Sequence, residues 1–146
     1  MKKILCLTLS LLFSLFIFAQ KARINHTAIF VQNLSASKNF YQNIIGLDTV
    51  ANPFNDGKHV WMKTGATTTL HLIEGAKEKK EYFLNNHTCF SISSVNDFIT
   101  VLKKNDIWWQ NSQGERYQIT TRPDGVHQIW LQDPDGYWIE INDDKF

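Results

Sequence analysis

The chain has 146 residues, a formal charge of +1 and 43% hydrophobic residues, enough apolar content for the core of one domain. The near-neutral balance excludes an electrostatic nucleic-acid binder. The densest basic stretch, Lys77, Lys79 and Lys80, is interleaved with Glu78 and Glu81 and reads as a solvated loop.

The first element in chain order is a leader. Lys2 and Lys3 precede an almost unbroken apolar run from Ile4 to Phe18, and Ala19 is a small residue suited to the position before a cleavage site. This predicts a secretory signal peptide over residues 1–19, and with it export to the periplasm or the extracellular space. The run falls short of the roughly 20 apolar residues that a spanning helix needs, so no stable membrane association is expected after cleavage. Cys6 lies too early in the run to be a lipidated residue. Its removal leaves Cys89 alone, so the mature chain has no intramolecular disulfide. Losing Lys2 and Lys3 takes the formal charge from +1 to −1.

The remaining chain is organised as two similar halves, residues 24–75 and 85–142. Asn25-His26-Thr27 and Asn86-His87-Thr88 stand 61 positions apart, and each opens a strand-like alternation. In the first half His26, Ala28 and Phe30 share one face and Thr27, Ile29 and Val31 the other. Asn33 or Ser35 can cap a helix carrying Ala36, Phe40 and Ile44, and Gly46 suits its end. Strands follow near 48–51, 58–63 and 67–73, with Asn55-Asp56-Gly57 and Thr64-Gly65 as turns. His59, just after Asp56-Gly57, reads as an exposed turn residue. Residues 74–85 are polar and form the linker.

The second half repeats the plan. His87, Cys89 and Ser91 face one way, and Thr88, Phe90 and Ile92 the other. Ser94 caps a helix with Val95, Phe98, Ile99 and Leu102 at helical spacing, and Asn105 ends it. Strands near 117–121, 126–132 and 137–142 are separated by Arg122-Pro123-Asp124-Gly125 and Asp133-Pro134-Asp135-Gly136, both turn sequences. The fold class is therefore α+β, with strand–helix–strand–strand–strand occurring twice.

If the face with Thr27, Ile29 and Val31, and in the second half that with Thr88, Phe90 and Ile92, packs its helix, His26 and His87 look away from the helices into a shared cup. His71 and Glu140 sit at the centres of the apolar last strands, where an unpartnered polar group is costly. One shared cation satisfies all four. Three imidazoles and one carboxylate suit Zn²⁺, Ni²⁺, Co²⁺ or Fe²⁺ and not the all-oxygen preferences of Ca²⁺ or Mg²⁺; Zn²⁺ is the default for an exported protein. Cys89 fills space beside His87. His127 is a candidate to line the cup, and among the five tryptophans Trp138 is the best pocket candidate because it shares a face with Glu140.

These segments resemble the vicinal oxygen chelate superfamily, which includes glyoxalase I, bleomycin-resistance proteins, fosfomycin-resistance enzymes and type I extradiol dioxygenases. The resemblance is carried by Ile24 to Val31, Ser37 to Tyr41, Ile45-Gly46-Leu47, Leu70 to Glu74 and, above all, Asp133 to Ile141, and it covers residues 24–142 as one domain. It implies two βαβββ modules forming a cup-shaped, mostly antiparallel sheet. The metal ligands it implies are His26, His71, His87 and Glu140, from the first and last strand of each module. It implies a metal-dependent lyase or isomerase that binds a small substrate through two adjacent oxygens and stabilises an enediolate-type intermediate. Glu140, the one glutamate of the set, is then ligand and catalytic base, since His71 stands where glyoxalase I enzymes usually have Glu or Gln. An Fe²⁺-dependent extradiol-type dioxygenase, or a non-catalytic antibiotic-binding protein, is the alternative the same family offers. Members are commonly homodimers or paired modules within one chain.

Overall fold

The computed structural model describes residues 21–145, so the signal-peptide reading of residues 1–19 lies outside the described residues. Among the described residues no helix is long and apolar enough to cross a membrane.

Each half builds its own four-stranded sheet. The first contains β1 (His26–Val31), β2 (Thr49–Val50), β3 (His59–Lys63) and β4 (Thr69–Glu74) in the order β1-β4-β3-β2. The second contains β5 (His87–Ser91), β6 (Thr120–Thr121), β7 (His127–Gln132) and β8 (Trp138–Asn142) in the order β5-β8-β7-β6. In place of the expected single sheet there are two, each mixed but, as expected, mostly antiparallel. The meander is antiparallel, but β1 pairs with β4, and β5 with β8, in parallel. The reason is topological: the helix carries the chain over the sheet, and the meander then returns its last strand beside the first, running the same way.

Helix α1 (Leu34–Phe40) starts at Asn33, whose side-chain oxygen accepts from the Ala36 amide at 2.9 Å. It widens into a π-helical turn, Tyr41–Ile45, and stops at Gly46 in the left-handed conformation, φ 88°. Helix α2 (Val95–Lys104) is capped by Ser94 at 3.2 Å from the Asp97 amide. Beneath the helices lies one contiguous apolar cluster drawn from both halves, including Ile29, Val31, Leu34, Leu70 and Leu72 with Val95, Phe98, Leu102, Leu131 and Ile141. Thr27 and Thr88, assigned by alternation to the helix side, remain exposed because β1 and β5 are edge strands. The strand expected over 117–121 shortens to its last two residues, since Tyr117 takes φ 62°, a value that breaks a strand.

The turn between β7 and β8 does more than reverse the chain. Asp133 accepts from the amides of Asp135 and Tyr137 at 2.9 and 2.8 Å, which closes the turn. The same turn then clasps the first half. Asp135 accepts from the Gln32 amide and from Ser37 Oγ, each at 2.7 Å, and Tyr41 donates its hydroxyl to Asp133 at 2.9 Å. Both carboxylates are buried, as are Ser37 and Tyr41, so each buried donor that the clasp satisfies avoids about 1–3 kcal/mol of unmet desolvation. Burial pushes the Asp133 carboxyl up to about 6, against the lowering effect of its hydrogen bonds to Tyr41 and the turn amides.

Candidate metal and substrate site

Strand register decides which side chains meet. On the first sheet Ala28 lies opposite His71, and Trp61 lies opposite His71 from the other side. His26, His59, Trp61 and His71 therefore share the face away from α1. On the second sheet the frame is the same: Cys89 and Trp130 flank Glu140, and His87 lies opposite Trp138. His87, Trp130, Trp138 and Glu140 share the corresponding face.

The first half presents His26 and His71, with ring centroids 6.1 Å apart. His26 Nδ1 is 2.8 Å from the side-chain oxygen of Asn25, an acceptor, so Nδ1 is the nitrogen that donates there. His71 is buried, and its Nε2 has no hydrogen-bond partner. Trp61 stacks on its ring at 3.9 Å and 14°. Burial, followed by the neighbouring imidazoles of His59 and His26, pushes His71 below its ordinary histidine value. A neutral imidazole with an orphaned nitrogen is the form that binds a metal ion.

The second half presents His87 and Glu140, with His87 Nε2 3.0 Å from Glu140 Oε2. His87 Nδ1 lies 2.8 Å from the Leu84 carbonyl, which can only accept, so Nδ1 carries a hydrogen. Nε2 then faces a carboxylate oxygen, and that contact requires a proton or a cation between the two atoms. Glu140 Oε1 is held by the Asn142 amide at 3.1 Å. The donor chemistry of both halves thus fits a borderline divalent ion. All four expected ligands occupy the predicted faces. The chain by itself presents them as two pairs, His26 with His71 and His87 with Glu140. No group of three His, Cys, Asp or Glu side chains placed to hold a metal ion occurs among the described residues.

Other expectations sort clearly. Cys89, expected to fill space, is instead an exposed residue of β5; its sulfur accepts from the Asn142 side-chain amide at 3.2 Å, and desolvation together with Glu140 pushes the thiol up to about 12, far from a reactive thiolate. His127 is off the cup, since Gln128 and Trp130 hold the cup-side positions of β7; it pairs with Asp143 at 3.0 Å. His59 is the residue that sequence reasoning missed. It is the first residue of β3 and half-buried, its ring centroid 5.0 Å from that of His71 and its Nδ1 2.6 Å from Asp56. The signal was present in the alternation of His59, Trp61 and Lys63 against Val60 and Met62, and the preceding Asp-Gly masked it.

The sequence profile of the Glyoxalase/Bleomycin resistance protein/Dioxygenase superfamily matches residues 23–141. An uncharacterized protein of Bacillus subtilis, YwbC, is 27% identical over 125 residues, covering 82% of this chain and 95% of its own length. A protein of Arabidopsis thaliana named Glyoxylase I 4 is also 27% identical over 125 residues, covering 81% of this chain and 68% of its own. Among solved structures, a glyoxalase/dioxygenase from Nostoc punctiforme superposes with a TM-score of 0.70 at 24% identity, covering 89% of this chain and 99% of that one.

Proposed function

Because the chain belongs to the glyoxalase/bleomycin resistance protein/dioxygenase superfamily, we propose that it is a metal-dependent, glyoxalase-like lyase or isomerase acting on a small substrate with oxygens on adjacent carbons. The observation that carries this reading is the His87–Glu140 contact, in which Nε2 lies 3.0 Å from a carboxylate oxygen, a pair of atoms that needs a proton or a cation between them. His26, His71, His87 and Glu140 are the residues that would hold the ion, with Zn²⁺ first in order and Ni²⁺ or Fe²⁺ after it. A bound divalent ion supplies Lewis-acid stabilisation of developing negative charge on the substrate oxygens.

The chain's own residues supply the rest. Glu140 is buried, and Asn142 holds one of its oxygens, leaving Oε2 to act. That atom takes the proton from the carbon next to a carbonyl and returns it to the neighbouring carbon. The net change is an isomerisation, so no oxidant or reductant is required. His71 takes no part in the proton transfer, because its free nitrogen offers a lone pair to a cation and it carries no carboxylate. Trp61, stacked on His71, and Trp130, opposite Glu140, cover the buried member of each pair, while His26 and His87 stay open to solvent.

Two further parts of the reading rest on narrower ground. The separation of the four residues into pairs, together with the exposed edge strands β1 and β5, favours a homodimer in which a second copy closes the set. The charged, then apolar, leader at Lys2 to Ala19 favours export. Elemental analysis of the mature protein, purified without added metal and compared with His87→Ala, tests the proposal. Stoichiometric metal in the parent and loss in the variant are expected. Equal metal in both, or none in either, removes it.

A further inference from the structure

The linker between the halves forms one wall of a cavity beside Glu140. The cavity has a volume of about 540 Å³ and is lined by Lys79, Lys80, Glu81, Tyr82, Gln132 and Trp138. Its floor belongs to the second sheet. Trp138 is two residues from Glu140 on the same face and lies opposite both His87 and Gln132 in the strand register. The floor of the cavity is therefore on the same sheet face as the His87–Glu140 pair.

The wall is held in place by specific contacts. Tyr82 accepts the Trp138 indole N–H on its carbonyl at 2.8 Å and stacks its ring on Tyr137 at 4.3 Å. The linker also lies directly on Gly136, which takes φ 93°. A Cβ there would meet the Lys79 side chain at 2.7 Å and the Lys80 carbonyl at 3.0 Å. Only glycine lets the chain cross at this distance, so the Lys79 stem is laid along the rim.

The chemistry of the lining selects a ligand. Trp138 has already used its one donor, so it offers an aromatic surface. Gln132 donates to the Gly136 carbonyl at 3.0 Å and keeps its acceptor. Lys80 is paired with Glu78 at 3.2 Å, whereas Lys79 and Glu81, both in the lining, form no ion pair among the described residues. A second cation stands behind the aromatic wall, with Arg116 over Trp108 at 4.7 Å and Trp108 edge-on to Trp138 at 5.9 Å. We infer that this cavity is the specificity subsite and that it takes a planar, negatively charged group, carried by the substrate on the side away from the reacting carbon, with Lys79 as the charge that selects it. This inference rests on the proposed reaction at Glu140 for its meaning, but its test needs no turnover.

The probes are benzoate and its neutral counterpart benzamide, titrated by calorimetry and tryptophan fluorescence into chelator-treated mature protein, so that no metal can hold the carboxylate. Benzoate is expected to bind about fivefold tighter than benzamide, the size of a partly exposed ion pair. Lys79→Gln, which keeps most of the stem, abolishes the preference, and Glu140→Gln leaves it in place. Equal binding of the two probes, no binding of either, or a preference that survives Lys79→Gln overturns the inference. A preference that changes in either direction in Glu140→Gln places the anion at the His87–Glu140 pair and overturns it too. If turnover proves absent while the Lys79-dependent preference persists, the proposed reaction fails and the anionic subsite stands.

Discussion

The two halves share one backbone frame and place different side chains at its centre. In each, the central residue of the last strand lies opposite a tryptophan on the neighbouring strand, Trp61 opposite His71 and Trp130 opposite Glu140. In each, the first strand opens on a histidine whose Nδ1 is tied to a local acceptor, Asn25 in one half and the Leu84 carbonyl in the other. The difference lies at the centre of the last strand. The first half holds a buried imidazole with an unpartnered nitrogen, and the second a carboxylate already drawn to its histidine. On the proposed reading the first half would only hold the cation, while the second would also move a proton, because Glu140 is the one carboxylate among the four residues.

The largest expected effect tests that division of labour at matched positions. Glu140→Gln should lower kcat on the hemithioacetal of methylglyoxal with a thiol by roughly 10³-fold, the typical weight of a positioned general base, while part of the metal is retained. His71→Gln should do the reverse, weakening metal retention while the fully loaded protein keeps most of its kcat. Deuterium wash-in followed by NMR reads the proton transfer, and elemental analysis reads the metal. If the two variants lose turnover equally at full metal loading, the halves are chemically equivalent and Glu140 is not the base.

Much of this frame is legible in the chain before any coordinates. The Asn-His-Thr repeat and the period-two alternation place His26, His71, His87 and Glu140 on the cup-side faces, because strand geometry allows a side chain only two directions. What stays hidden depends on contacts between distant segments. Nothing local to Asp133-Pro134-Asp135-Gly136 announces that its carboxylates will accept from Gln32, Ser37 and Tyr41, since a turn sequence is explained by its own backbone needs alone. The strand at 117–119 fails for a similar reason: Tyr117 donates its amide to the Trp109 carbonyl and takes a left-handed conformation that its sequence does not demand. The separation of the ligands into pairs is likewise a matter of how the modules sit, which alternation cannot encode.

The hairpin turns sharpen the comparison at intermediate size. In the first half the β3–β4 hairpin closes on itself, Thr64 bonding only to Thr68. In the second, the β7–β8 turn reaches across to Tyr41. Tyr41→Phe should therefore destabilise the whole protein, and the cost should depend on pH. Burial raises the Asp133 carboxyl to about 6 in the folded state, above its unfolded value of about 3.9. Its contribution to stability is therefore present below about pH 4 and is lost as pH rises through 6. Removing the Tyr41 donor deprives the ionised form of a charge-assisted bond, so the variant should lose about 1 kcal/mol at pH 4.5 and about 2 kcal/mol at pH 7.5. Asp56, Asp124 and Asp143 are lowered by their own hydrogen bonds and slope the other way. Urea denaturation should accordingly be read as the difference between variant and parent at each pH. A cost that is flat with pH, or that shrinks as pH rises, would mean that Tyr41 does not support the Asp133 charge.

The smallest expected effect concerns the helix that each half packs on its sheet. Asn33 caps α1 at 2.9 Å, and no acidic residue stands in that helix's first turn. Ser94 caps α2 at 3.2 Å, and Asp97 adds a negative charge near the same amide dipoles. A carboxylate in the first turn stabilises a helix start by about 0.3–1 kcal/mol on its own, so α2 has a second support that α1 lacks. Its cap geometry is also the looser of the two. Asn33→Ala should therefore cost about 1 kcal/mol, and Ser94→Ala about half of that, as separate shifts in the urea midpoint with unchanged slope. Raising the salt concentration should narrow the gap, because it screens the Asp97 charge and leaves the cap hydrogen bonds in place. If Ser94→Ala costs as much as Asn33→Ala at low salt, the first-turn carboxylate contributes nothing, and the two helix starts are equivalent despite their different sequences.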